Sequence, residues 1–424
     1  MGLLQDILFG LMGLTMLVGV AWLFSGNRGA VDWRTVVVGV ILQVVFAFIV
    51  LLTPWGAAVF NGLAQFFVTV IGFTEAGSTF IFGDLARQDN FGFIFAFQVL
   101  PTIIFFASLM GVLYHLGLMQ RLVGAMAAVM RKFLPVSGGE SLSVAANVFI
   151  GQTEAPLVVR PYIQKMTQSE LLTMMVGGMA TIAGGVLAAY VGLLGGDDPA
   201  QRVYYAKHLL SASIMAAPAT IVIAKVLMPE TEESLTMGKV QIKVEKTAHN
   251  AIEAAANGAA DGWRLALNVG AMLLAFLALI AMINWPLEQI GSLTGLEEKL
   301  GRPVDLSLIL GYLLAPLAWI IGVPATDIVT VGGLIGQKVV ANEFVAYVEL
   351  GNVQDQLSDK ARLISTYALC GFANFSSIAI QIGGIGGLAP DRKPDIARFG
   401  LRAVLGGTLV TMMTATIAGV LHTL

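Results

Sequence analysis

Two carboxylates stand inside long apolar stretches with amides and hydroxyls around them. Glu154 lies in the interruption Gly151-Gln152-Thr153-Glu154-Ala155-Pro156, with Asn147 one helical turn before it. Glu343 follows Asn342, and a further polar group, Asn374, Ser376 and Ser377, sits in CGFANFSSIAI beside Phe372 and Phe375. A single Ser or Thr in such a setting is explained as polar glue between helices, because its hydroxyl bonds to the preceding turn. Two carboxylates are not explained that way, although Lys338 can pair with one of them. Carboxylates, amides and hydroxyls with aromatic rings nearby suit hydrogen bonding to a neutral, hydroxylated, ring-bearing solute.

Other chemistries find no residues to carry them. The sequence holds no HExxH, no Cys/His metal spacing, no GxSxG and no Walker pattern. Its four histidines, His115, His208, His249 and His422, are scattered, and Gly383–Gly387 follows no strand and reads as a packing or unwinding device. The single cysteine, Cys370, excludes an intramolecular disulfide and reads as a small buried hydrophobe.

The elements that position these residues must lie in a membrane. A chain of 424 residues that is 57% hydrophobic and 12% charged has too little polar surface for a soluble globule. Apolar runs at 8–25, 36–53, 93–117, 171–195, 209–228, 263–285, 362–388 and 399–421 give eight transmembrane helices; the first is read as a retained span and not a signal peptide. Segments 54–82, 119–134 and 286–302 read as interfacial helices, and 229–261 as a solvated connector. Lys and Arg gather in alternate loops, which places those loops in the cytoplasm and both termini outside.

Unpaired polar groups cost several kcal/mol in lipid, so the interrupted stretches 137–165 and 305–350 read as re-entrant hairpins buried in protein or lining a cavity. Ile150-Gly151-Gln152 recurs as Ile335-Gly336-Gln337, and Thr181 after Gly178 stands beside Asn374 after Gly371. The expected fold is therefore an all-α polytopic membrane protein with two hairpins in inverted repeats. Its units are 1–92, N-terminal helices; 93–136, scaffold span and interfacial helix; 137–228, first transport repeat; 229–304, loop, scaffold span and interfacial segment; and 305–424, second transport repeat.

At GQTEAPL (151–157), NEFVAY (342–347) and CGFANFSSIAI (370–380) the chain closely resembles the concentrative nucleoside transporter family, over a match running from about residue 93 to the C-terminus. The resemblance implies a bacterial inner-membrane homotrimer that imports nucleosides by symport with sodium. It implies that Gln152, Thr153 and Glu154 address the nucleobase, that Glu343, Asn374 and Ser377 bind ribose hydroxyls, and that Val186 and Phe372 line the pocket. It further implies a sodium site from the side chains of Asn147 and Thr181 and the carbonyls of Ile150 and Ile182. Thr181 stands where family members commonly have Ser, which keeps the hydroxyl. Proton coupling through Glu154 or Glu343 is the alternative, since some bacterial members use protons; a channel or an intramembrane hydrolase is a different class of reading.

Overall fold

A computed structural model describes residues 3–87, 91–237 and 248–423. Among the described residues all regular structure is helical. The helices used below are α1 (Leu3–Leu23), α2 (Trp33–Leu52), α3 (Pro54–Gly72), α4 (Thr74–Phe82), α5 (Leu100–His115), α6 (Leu118–Phe133), α7 (Gly138–Asn147), α8 (Gln168–Ala180), α9 (Gly184–Gly195), α10 (Pro199–Leu227), α11 (Ala251–Leu293), α12 (Leu306–Ile320), α13 (Ile328–Val340), α14 (Glu343–Val353), α15 (Asp359–Ala368), α16 (Phe375–Leu388) and α17 (Lys393–Leu421).

Eight stretches are long and apolar enough to cross a membrane, as expected, but one has changed places. Pro54–Ala86, which the sequence reading laid in the interface, qualifies: Pro54 occupies the first turn, where a missing N–H costs nothing, and Thr53 accepts from Gly56 N. Residues 362–388 do not form one span. They divide into α15 and α16, each too short to cross alone. α6 falls within one residue of its expected limits, burying Met119, Val123, Ala127 and Met130 on one face.

The connector at 229–261 is shorter than expected, because Ala251-Ile-Glu-Ala-Ala-Ala is strong helix-forming sequence and already belongs to α11; residues 238–247 lie outside the described part. That helix then continues through Pro286 to Leu293, so part of the interfacial segment expected at 286–302 is its extension. Its 43 residues span roughly 65 Å, about twice the hydrocarbon thickness. Gly258 and Gly262 bring it against α5: an added Cβ would stand 2.5 Å from the Ala107 carbonyl and 2.8 Å from the Ala107 side chain. Small residues one turn apart permit this backbone approach where no hydrophobic drive separates helix from lipid.

Burial sorts the spans into a core and a scaffold. In the spans of α8–α9, α10 and α17, 83% of the most apolar window is buried, against 17% for α11 and 22% for the span containing α5.

The two interrupted stretches break at places that differ from the expected register. Helix α7 ends at Asn147 and the chain runs irregularly to Glu154, whereas Gly336-Gln337 lies within α13 and the second break falls at Ala341-Asn342. Gly336 serves close packing instead, since an added Cβ would meet Leu310 of α12 at 2.6 Å. Residues 305–350 thus resolve into α12, then α13 and α14 flanking the break. Beyond each break lies a second divided helix, α8 and α9 parted at Thr181–Ala183, α15 and α16 parted at Leu369–Asn374.

Candidate functional site

The four interruptions meet. Asn374 is the N-cap of α16, its Oδ1 accepting from Ser377 N at 2.8 Å and from Ser376 Oγ at 2.7 Å. With the oxygen so used, its amide nitrogen is aimed at Glu343, donating to Oε2 at 2.7 Å. Glu343 occupies the first helical position of α14 behind its own N-cap, Asn342, where the positive helix end favours a carboxylate. Tyr190 OH of α9 donates to the other oxygen, Oε1, at 3.3 Å. A carboxylate offers about four lone-pair sites, and these two bonds leave capacity for hydroxyl groups of a solute.

The first hairpin joins through Gln152. Its Nε2 donates to Ser377 Oγ at 3.0 Å, and its Oε1 accepts from Gln381 Nε2 at 3.1 Å. Gln381 also donates to the Met175 carbonyl of α8 at 2.9 Å. Gly178 permits the approach, because a Cβ there would stand 2.9 Å from Gln152 Cβ and 3.0 Å from Gln381 Nε2. Gln152, Ser377, Asn374 and Glu343 therefore form one continuous chain of polar contacts between the repeats.

The remaining expected residues are placed less uniformly. Thr153 is half-buried with its methyl against Gly384, Val186 is buried in α9, and Phe372 is half-buried against the core. Glu154 is exposed and forms no ion pair among the described residues. Lys338 pairs with neither: its Nζ donates to the Ala368 carbonyl and to Thr411 Oγ1, both at 2.9 Å. Two contributors escaped the sequence reading. Gln381 lies one residue beyond the stretch singled out, and Tyr190 had no signal, because its partner is 153 residues away.

A second polar place lies between α7 and the division of α8 from α9. Asn147 Nδ2 donates to Ser143 O at 3.0 Å, leaving Oδ1 buried without a hydrogen-bond partner. Thr181 Oγ1 donates to Gly177 O at 2.9 Å and keeps its lone pairs. Both side chains converge on Gly177, where an added Cβ would be 3.4 Å from Asn147 Nδ2. Gly184 N donates to Phe149 O at 3.0 Å, stitching the hairpin to the divided helix, while among the described residues no backbone N–H bonds the carbonyls of Ile150 or Ile182. An orphaned amide oxygen, a hydroxyl and free carbonyls are neutral hard donors that suit a monovalent hard cation. No group of three His, Cys, Asp or Glu able to hold a metal occurs among the described residues.

Divided helices meeting at one buried polar chain, inside eight apolar spans, define a polytopic membrane transport protein and not an enzyme. Residues 208–419 match the family model described as Na+ dependent nucleoside transporter C-terminus, residues 12–85 the corresponding N-terminus, and residues 96–197 the model described as nucleoside recognition. The nucleoside permease NupC of Helicobacter pylori is 43% identical over 97% of this chain and 97% of its own length. Sodium/nucleoside cotransporter 1 of Mus musculus is 40% identical over 94% of this chain and 62% of its own length. A solved structure of CNTnw in an inward-facing substrate-bound state superposes with TM-score 0.89, 44% identity, 99% of this chain and 98% of that chain. The chain belongs to the concentrative nucleoside transporter family.

Proposed function

We propose that this chain imports nucleosides by symport with sodium, the solute held between the repeats and the ion held at the first divided helix. The observation that carries the reading is the continuous chain Gln152–Ser377–Asn374–Glu343, which joins both repeats at their interruptions. Glu343, Asn374 and Ser377 take the ribose hydroxyls, Gln152 addresses the base with Thr153 and Glu154 at the hairpin's edge, and Val186 and Phe372 line the pocket. Sodium binds Asn147 Oδ1, Thr181 Oγ1 and the carbonyls of Ile150 and Ile182. By tying the α7 tip to the divided helix it pre-forms the site that Gln152 completes, so ion and nucleoside raise each other's affinity by one common factor. The support is the unpartnered Asn147 oxygen, which costs free energy when nothing meets it.

The assembly belonging to this reading is a homotrimer in the bacterial inner membrane with both termini periplasmic, supported by the family resemblance and by the segregation of basic residues into alternate loops. Glu343, a buried carboxylate held by two neutral donors, is the observation on which proton coupling would rest. Uptake of labelled uridine and adenosine into proteoliposomes decides between them. Accumulation driven by an imposed sodium gradient at fixed pH is expected. Accumulation driven by a pH gradient alone, with equal binding in sodium and choline, would reject sodium.

A further inference from the structure

The second repeat contains a buried charge that the transport reading leaves unused. Lys338 is fully buried two residues before the end of α13, and among the described residues no carboxylate lies within 4.0 Å of its ammonium. Such a burial costs several kcal/mol unless the charge is met by well-placed oxygens. Its partners are the carbonyl of Ala368, the last helical residue of α15, and the hydroxyl of Thr411 on α17. The last carbonyls of a helix have no intrahelical donor and carry its partial negative charge, so a cation is at home there.

The position has a counterpart. In the first repeat the tip of α7 and the end of α8 present neutral oxygens to each other around Gly177; in the second the tip of α13 and the end of α15 meet in the same order of elements, and the ammonium stands between them. We propose that Lys338 is a tethered cation, occupying in the second repeat the place that an exchangeable cation takes in the first. Its ammonium fastens the α13 tip to the division between α15 and α16. Glu343 lies five residues beyond Lys338, and Asn374 six residues beyond Ala368, so the tie is a positioning device for the Glu343–Asn374 pair. The inference rests on the reading that Asn147 and Thr181 hold sodium.

The test is uridine binding by calorimetry across a sodium series balanced with choline, for wild type, Lys338→Met, Lys338→Ala and Asn147→Leu, with melting temperatures to establish folding. Wild type should depend on sodium with a Hill slope near one; a slope near two would overturn the proposal, since the second place would then be filled from solution. Lys338→Met, which keeps the stem and removes the charge, should bind uridine at least tenfold more weakly with the slope unchanged. Lys338→Ala leaves the two oxygens facing a void, and methylammonium should restore several-fold of the lost affinity there and none in Lys338→Met. Wild-type affinity in Lys338→Met, or a folded Lys338→Ala that methylammonium does not rescue, would overturn the tether. Asn147→Leu separates the two readings: if it keeps wild-type sodium dependence, the sodium assignment fails while rescue at position 338 is still read on its own.

Discussion

The two hairpins are gripped by charge at opposite ends. The first is fixed at its root: Ser137 and Glu140 form a reciprocal cap at the start of α7, Lys225 Nζ of α10 lies 2.6 Å from Glu140 Oε1, and Arg392 NH1 donates to the carbonyls of Met166 at 2.6 Å and Gln164 at 3.2 Å. Its tip, at Asn147, ends in an unpartnered oxygen. In the second, charge grips the tip, through Lys338 on Ala368 and Thr411, while the root rests on Ser358 donating to Asp327 at 2.5 Å. Charge thus grips the root of the first hairpin and the tip of the second, while the first tip is held by neutral hydrogen bonds of Gln152 and the Phe149 carbonyl around one unpartnered oxygen. On the proposed reading, ion response belongs to the first repeat and constancy to the second.

The contrast can be broken at either end. The largest effect is expected from Glu140→Ala, which leaves Lys225 buried with Glu230 and Ser169 Oγ as its remaining partners. Losing one member of a buried pair costs about 3–5 kcal/mol, so melting in detergent should fall by several degrees; an unchanged melting curve would show that the root clamp is dispensable. Glu343→Gln keeps shape and removes charge. Charge-assisted bonds contribute about 1.5–3 kcal/mol each, so calorimetry should show uridine affinity falling roughly ten- to a hundredfold while the protein still inserts, and unchanged affinity would remove Glu343 from the solute site. Asn147→Leu should abolish the difference between uridine affinities in sodium and in choline, a coupling of about 5- to 150-fold in systems of this kind. The smallest change is expected from Tyr190→Phe. The ring remains packed 4.2 Å from Tyr347 and only the 3.3 Å bond to Glu343 is lost, worth about 1 kcal/mol, so affinity should drop only a few-fold.

How far the sequence reveals this arrangement depends on the range of the interaction. The first break is legible because Gly, Gln, Thr, Glu and Pro within six residues cannot remain helical in an apolar setting, and Asn374 is legible because an Asn two and three residues before Ser376 and Ser377 is a cap in waiting. The second break is misread at Gly336, because a glycine that lets α12 approach looks the same in sequence as one that lets a helix unwind. Pro54–Ala86 is misplaced because Asn61, Gln65 and Glu75 suggest an interfacial face, whereas length and hydropathy qualify it to cross. Lys338 shows only its charge in sequence; that it answers a helix end 30 residues away is a property of the fold.

Cys370 sits in the division between α15 and α16, 2% exposed, its sulfur 3.9 Å from Ser213 Oγ and 3.9 Å from the Leu209 carbonyl. It is also the one thiol of the chain. A water-soluble alkylating reagent therefore finds no target on the molecule in this conformation, and each covalent event registers one opening of this division to water. The labelling rate of the unaltered protein is then a clock for that opening, slowed by whatever ligand holds the division shut and quickened by whatever draws it open.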